Sequence, residues 1–171
     1  MKLINSLSKE HSRANTDKIV LNIASNPKKF NELVDAFLKG PYRITQRAAW
    51  PLSICVQQHP ELIKPHLKKV LHCLSKSDIH DAVKRNIVRL LQFIKIPRSL
   101  QGEVVTHCFR FLRNPREPIA IRVFSMTVLS NLTQENPELK NELIPIIEDY
   151  LPFSSAGFRS RGMRVLKELK R

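Results

Sequence analysis

The stretch AIRVFSMTVLSNLTQENPELK, residues 120–140, decides the fold because a short polar break in it separates two apolar runs. The break ends at Asn136-Pro137, and proline suits the first position of a helix, whereas the residue before it disfavours helical dihedral angles. The stretch therefore predicts one helix that ends before the break and a second that begins at it. The stretch ITQRAAWPLSICVQQHPELIK, residues 44–64, shows the same order of residues, and its Ile44 lies 77 positions before Ile121.

A four-residue template recurs along the chain. An apolar residue is followed directly by Arg, Lys or Thr. A smaller or apolar residue lies four positions after the first residue, and Leu lies eight positions after it. The four occurrences are Ile44-Thr45-Ala48-Leu52, Val83-Lys84-Ile87-Leu91, Ile121-Arg122-Ser125-Leu129 and Phe158-Arg159-Gly162-Leu166. Their first residues lie 39, 38 and 37 positions apart. Because the apolar members share one helical face, each occurrence predicts an amphipathic helix.

A second apolar set follows each of the first three templates at helical spacing, as in Leu139, Leu143, Ile147 and Leu151. Helix pairs are thus predicted at residues 41–75, 78–114 and 115–152, with a degenerate pair at 1–40 and a capping helix at 155–171. Helix pairs of this period stack, because a single pair cannot bury both of its faces. The predicted fold is all-α, a right-handed α-α superhelix of about four helix pairs plus the capping helix, forming a single domain over residues 1–171.

Local signals place several helix ends, and about nine helices are expected. Thr16-Asp17 and Asn26-Pro27 are expected to begin the two helices of the degenerate pair, which Gly40-Pro41 closes. Asp78 and Asp81 are expected to cap a helix over residues 80–95. The predicted core includes Leu52, Val83, Leu91, Leu112, Ile121, Leu129, Leu139 and Leu151.

The composition favours a globular, strongly basic protein. The 29 basic and 15 acidic residues give a formal net charge of +14, which suits nucleic acid, anionic surfaces or acidic protein partners.

No apolar run approaches the length of a membrane span, and we expect no membrane association. The chain shows no secretory signal, and Cys55, Cys73 and Cys108 form no CxxC pair, so buried free thiols and a cytoplasmic location are expected.

The Val/Ile-Arg-xx-small-xxx-Leu opening, on a period of about 40 residues, resembles HEAT repeats. The resemblance covers residues 40–171 well and the first 39 residues weakly, with Thr45 in place of Arg and Ile87 where a small residue is usual. It implies a scaffold or binding surface. The DNA-alkylation-repair glycosylases, a minority of HEAT-like proteins, grip DNA on a basic concave face, and they supply a second, nucleic-acid-binding alternative.

We found no persuasive catalytic arrangement in the sequence. It has no HExxH, no GxSxG and no phosphate-binding lysine loop. His66 and His72 share a segment with Cys73, but their spacing does not place them on one face as zinc ligands. We therefore expect no catalytic residues, no cofactor and no bound metal. A monomer or weak dimer is also expected.

Basic residues on the first helix of each pair predict a candidate ridge. Its members are Arg43, Arg47, Trp50, Arg85, Arg89, Arg161 and Arg164. The ridge is interpreted either as solvated or as anion-binding. Trp50 is expected either to stack on a base or to pack against the 27–39 helix. At the second template position, Lys84, Arg122 and Arg159 are expected to bond groups of the adjoining pair.

The second helices of such pairs usually line a concave face. Its candidate binding residues are Lys64, Lys68, His72, His107 and Arg110. The helix predicted at 137–151 is acidic, which opposes a phosphate backbone running along the whole face. The sequence thus favours a non-enzymatic scaffold for a protein partner, with a basic nucleic-acid binder as the alternative.

Overall fold

The computed structural model describes residues 3–171, and all regular secondary structure within that range is helical. The α-helices are α1 (Leu3–Lys9), α2 (Arg13–Ile23), α3 (Pro27–Lys39), α4 (Tyr42–Gln58), α5 (Leu67–His72), α6 (Asp81–Leu91), α7 (Arg98–Arg113), α8 (Ile119–Leu132), α9 (Lys140–Tyr150) and α10 (Ala156–Leu169). Short 3-10 segments cover Pro60–His66, Cys73–Ser75, Pro137–Leu139 and Leu151–Phe153. The all-α prediction is confirmed.

Both proline breaks lie where the sequence predicts them. Helix α4 ends at Gln58, two residues before Pro60, and α8 ends at Leu132, before the 3-10 turn that starts at Pro137. The prediction for α3 is also confirmed, because the Asn26 side chain accepts the amide hydrogens of Lys28 and Lys29 at 3.0 and 3.2 Å.

Two helix starts differ from the prediction. Helix α2 begins at Arg13 and not at Thr16, because the Ser12 hydroxyl accepts the amide hydrogen of Asn15 at 3.1 Å and caps the helix earlier. The first turn of α6 is capped by His80 and not by Asp78. The His80 Nδ1 atom accepts the amide hydrogen of Ala82 at 3.0 Å. Helix α1 was not predicted, and it brings the count to ten within residues 3–171.

The second helix predicted at 61–75 is not a continuous α-helix. It consists of the 3-10 segment Pro60–His66, the short α5 and a final 3-10 turn. Pro65 lies inside this stretch, and a proline there removes a backbone donor and its ring crowds the preceding turn. The stretch still buries its apolar residues, since Ile63, Val70 and Leu71 are each fully buried.

The chain forms two compact units, one ending at Lys95 and the other spanning Ile96–Arg171. In the first unit, α4 packs against α2, α3 and α6. In the second unit, α8 packs against α7, α9 and α10. The boundary falls inside the helix pair predicted at 78–114, so α6 belongs to the first unit and α7 to the second. The single domain over residues 1–171 stays a prediction.

Most of the predicted core residues are buried. Leu52, Val83, Leu91, Leu112, Ile121 and Leu129 are all buried. Leu139 and Leu151 are only half-buried, which corrects the prediction. They lie in the 3-10 turns at the two ends of α9 and not in its packed centre. Helix α10 approaches α9 so closely that a Cβ atom at Gly162 would lie 3.1 Å from Ile147 Cγ2.

Candidate interaction surface

The basic residue at the second template position has different surroundings in each repeat. Arg122 is 7% exposed, and its Nε donates to the Leu112 carbonyl oxygen at the end of α7, at 3.0 Å. Lys84 pairs with Asp81 on its own helix at 3.2 Å, whereas Arg159 is exposed. The predicted bond to the adjoining pair is therefore confirmed for Arg122, which serves the fold and is not offered to a partner.

In the first unit, Arg47 is fixed against the end of α1. Its Nη1 donates to the carbonyl oxygens of Leu7 and Ser8 at 2.9 and 2.7 Å. The last carbonyls of a helix lack partners within the helix, and the helix dipole favours a cation beside them. Arg47 thus links α4 to α1 while retaining its positive charge, because carbonyl oxygens do not neutralise it.

Trp50 contacts the loop between α1 and α2. Its ring lies edge to face with the ring of His11, with 5.5 Å between the centroids, and the tryptophan is half-buried. Base stacking and packing against the 27–39 helix were the two roles predicted for Trp50, and neither included this contact. Because the two residues are distant in sequence and His11 lies in a loop, no helical periodicity pointed to their meeting.

Arg89 lies where α6 packs on α4. Its Nη2 donates to Gln57 Oε1 at 3.0 Å, and its side chain is half-buried. Burial and the nearby positive charges of Arg13 and Arg85 lower the pKa of Arg89. Arg13, from the first turn of α2, therefore lies close enough to act electrostatically on Arg89 of α6.

His11 lies among the same guanidinium groups. Burial, followed by the positive charges of Arg47 and Arg85, lowers the pKa of His11. We define the arginine cluster as Arg13, Arg47, Arg85 and Arg89, with His11 and Trp50 beside it. Three of these arginines, Arg47 on α4 and Arg85 and Arg89 on α6, belong to the predicted ridge. His11 and Arg13 were missed, because α2 carries no copy of the template.

The arginine cluster is poorly neutralised. Within residues 3–171, Asp17 is the one carboxylate that forms an ion pair with a cluster arginine, accepting two hydrogen bonds from Arg13 Nε at 2.9 Å. Arg85 is exposed and forms no hydrogen bond or ion pair with any described residue. Arg43 is also exposed, one turn before Arg47 on α4. The cluster therefore presents positive charge to solvent.

In the second unit, the two predicted ridge residues of α10 differ in exposure. Arg161 Nη1 donates to Thr127 Oγ1 of α8 at 2.7 Å, whereas Arg164 is exposed. Burial and the charge of Arg164 lower the pKa of Arg161, and Glu168 opposes the shift. Arg161 thus fixes α10 against α8. The continuity of the ridge over the whole chain stays a prediction.

The residues predicted for the concave face are exposed, except for one. Lys64, Lys68, His72 and Arg110 are exposed. His107 is only 7% exposed, and its ring is stacked on Phe111 with 6.2 Å between centroids. Its Nδ1 accepts a hydrogen bond from Arg110 at 3.0 Å. His107 is therefore packed within the second unit, and its place on a binding face stays a prediction.

The sequence matches the profile of the HEAT repeat domain family over residues 3–169. The chain belongs to that family. HEAT repeats are helical repeats that typically mediate protein interactions. No curated protein and no solved structure matches the chain significantly.

The described part of this HEAT repeat chain contains no group of three or more His, Cys, Asp or Glu side chains that could hold a metal ion. Nor is any helix in residues 3–171 long and apolar enough to cross a membrane. Two surface pockets, of about 340 and 670 Å³, lie in the first unit. Tyr42, Cys73 and His80 line the smaller pocket, and Ile4, Glu32 and Asp35 line the larger. Neither pocket includes the arginine cluster.

Proposed function

We propose that this HEAT repeat chain is a non-enzymatic scaffold that binds a protein partner through the surface of its helical repeats. The arginine cluster is the observation that supports the proposal most, because it gathers exposed positive charge from α2, α4 and α6 on a rigid helical framework. Family membership supports the same conclusion. We further propose that the protein acts in the cytoplasm, as a monomer or weak dimer, without metal or cofactor.

The experiment that tests this function is the isolation and reconstitution of a complex. The tagged full chain is purified from its source cells after nuclease treatment, and the proteins that accompany it are identified by mass spectrometry. The strongest candidate is then produced separately and mixed with the purified chain. We expect a complex of defined stoichiometry at physiological salt, seen by light scattering. If no protein that accompanies the chain forms such a complex after separate purification, the proposal is wrong.

Nucleic-acid binding is a second candidate function, and the exposed Arg85 within an arginine-rich surface favours it. Lysine and arginine side chains release counterions when they neutralise phosphates, and this drives sequence-independent binding. Two observations make it the weaker candidate. Trp50 is half-buried against His11, which leaves less of its ring for base stacking. Arg47 and Arg89 already donate to groups of the protein itself.

A further inference from the structure

The arginine cluster is held together by contacts among four parts of the first unit. Arg47 bonds the last carbonyls of α1, and the His11 ring meets Trp50 of α4. Arg89 of α6 bonds Gln57 of α4. These contacts fix α1, the α1–α2 loop, α4 and α6 relative to one another. The guanidinium groups of Arg47 and Arg89 are therefore positioned before any ligand binds, which reduces the side-chain entropy that binding costs.

The bonds that position these arginines leave their charge largely unneutralised. Arg47 and Arg89 donate to carbonyl and amide oxygens, which are uncharged acceptors. Arg85 has no hydrogen-bond partner within residues 3–171, and its charge acts on both His11 and Arg89. Acidic residues near the cluster are Asp17, paired with Arg13, and Asp81, which lies one turn before Arg85 on α6 and pairs with Lys84 at 3.2 Å. Glu10, next to His11 in the sequence, accepts a hydrogen bond from the Ser12 hydroxyl at 2.7 Å. An anion that reaches this surface meets several guanidinium groups together.

Resting on the proposed function, we propose that the arginine cluster is the docking site for an acidic segment of the protein partner, a stretch of chain rich in aspartate and glutamate. Planar guanidinium groups bond carboxylates through parallel hydrogen bonds, which gives both affinity and orientation. Arg13 already donates from its Nε atom to both oxygens of the Asp17 carboxylate at 2.9 Å. Arg85, which is exposed, offers its guanidinium group to a carboxylate of the partner, and Arg47 and Arg89 add positive charge beside it.

A carboxylate-rich chain fits the cluster better than a nucleic acid does. The cluster is confined to α2, α4 and α6 of the first unit, whereas a nucleic acid engages phosphates along a track and its bases stack on free aromatic faces. Trp50, the aromatic residue beside the cluster, already contacts His11 and is half-buried. Carboxylate side chains need only the guanidinium forks, which the cluster supplies.

The test uses the purified full chain, a short fluorescent polyglutamate peptide and fluorescence anisotropy at physiological salt of about 0.15 M. The double variant R13A/R85A removes two exposed cluster charges. Its matched control is K28A/K76A, which removes two exposed lysine charges elsewhere in the first unit. We expect R13A/R85A to weaken peptide binding by about tenfold or more and K28A/K76A to change it by less than about twofold.

The single variant R85K distinguishes a guanidinium site from a general positive surface. It keeps the charge but loses the fork, so we expect clearly weaker peptide binding than in the wild type. Thermal unfolding of each variant checks that the fold is retained. Equal loss of binding in R13A/R85A and K28A/K76A, or unchanged binding in R13A/R85A, overturns the proposal. An oligonucleotide that binds more tightly than the peptide and requires Arg85 overturns it as well.

The outcome for the cluster is separable from the outcome for the scaffold function. A reconstituted protein complex that forms equally well with wild type and with R13A/R85A supports the scaffold and overturns the docking site. Loss of the complex in R13A/R85A, with the complex retained in K28A/K76A, supports both. Peptide binding that depends on the cluster, without any reconstituted protein complex, supports the carboxylate site and overturns the scaffold.

Discussion

Arg122 of α8 donates its Nε hydrogen to the carbonyl oxygen of Leu112 at the end of α7, over 3.0 Å. The same guanidinium lies 4.4 Å from the ring centroid of Tyr150 and 4.7 Å from that of Phe158. One buried cation therefore joins the end of α7 to the end of α9 and the start of α10. Burial lowers the pKa of Arg122, as expected for a cation in a weakly polar environment.

Replacing Arg122 by alanine should destabilise the protein by about 2–4 kcal/mol, because the substitution removes a buried hydrogen bond, two cation–π contacts and the packing of the side chain. Arg159 occupies the same template position but is exposed, so R159A should change stability by less than about 0.5 kcal/mol. Urea unfolding followed by circular dichroism measures both values. Similar losses in the two variants would contradict the distinction drawn between these arginines.

Leu129 and Leu139 should differ in the cost of truncation. Leu129 is fully buried in α8, and L129A should cost about 2–5 kcal/mol because it leaves a cavity. Leu139 lies half-buried in a 3-10 turn, so L139A should cost clearly less, about 1 kcal/mol. The free energies of unfolding in urea compare them directly. A larger loss for L139A would show that the core of the second unit is wrongly placed.

His107 should make the protein less stable in weak acid. Burial and the neighbouring Arg110 lower the pKa of His107 below 6.5, and Glu103 opposes this shift. Since the unfolded chain binds the proton more tightly, the contribution of His107 to stability is complete above about pH 6.5 and declines as the pH falls towards the folded-state pKa. The variant H107Q should therefore lose less stability than the wild type between about pH 7 and pH 5.5. Equal losses over that range would show that His107 is not the group responsible.

The three cysteines should be unreactive in the folded protein. Burial raises the pKa of Cys55 and of Cys108 to about 12, and it raises the pKa of Cys73 as well. Because the thiolate is the reactive species, a thiol reagent at about pH 8 should modify the native protein slowly and all three cysteines rapidly in denaturant. Rapid labelling of one cysteine under native conditions would place that residue at the surface.

The template predicted the parts of the fold that depend on local spacing. Leu52, Val83, Ile121 and Leu129 recur at helical spacing and are buried, because a periodic apolar face can only be covered by neighbouring helices. Leu139 and Leu151 follow the same spacing, yet prolines convert the ends of their helix into 3-10 turns and rotate them out of the core.

The arginine cluster was only partly predictable. Arg47, Arg85 and Arg89 could be singled out because they recur on template helices outside the motif position. His11 and Arg13 lie beside the cluster only because α1 and the α1–α2 loop pack against α4. The contacts that hold them there, His11 with Trp50 and Ser8 with Arg47, join residues far apart in sequence. The Ser12 cap and the basic residues beside it were the available signal for that loop.

DNA binding as a function of salt distinguishes a surface that serves a protein partner from one that binds nucleic acid. Net positive charge should give weak binding at about 0.05 M salt that falls steeply by about 0.2 M, because it arises from counterion release. We expect little binding near physiological salt and no special dependence on Arg85 or Arg89. Sub-micromolar affinity that persists near physiological salt, is abolished in R85E/R89E and survives in K28E/K76E would show that this surface of the HEAT repeat chain binds nucleic acid.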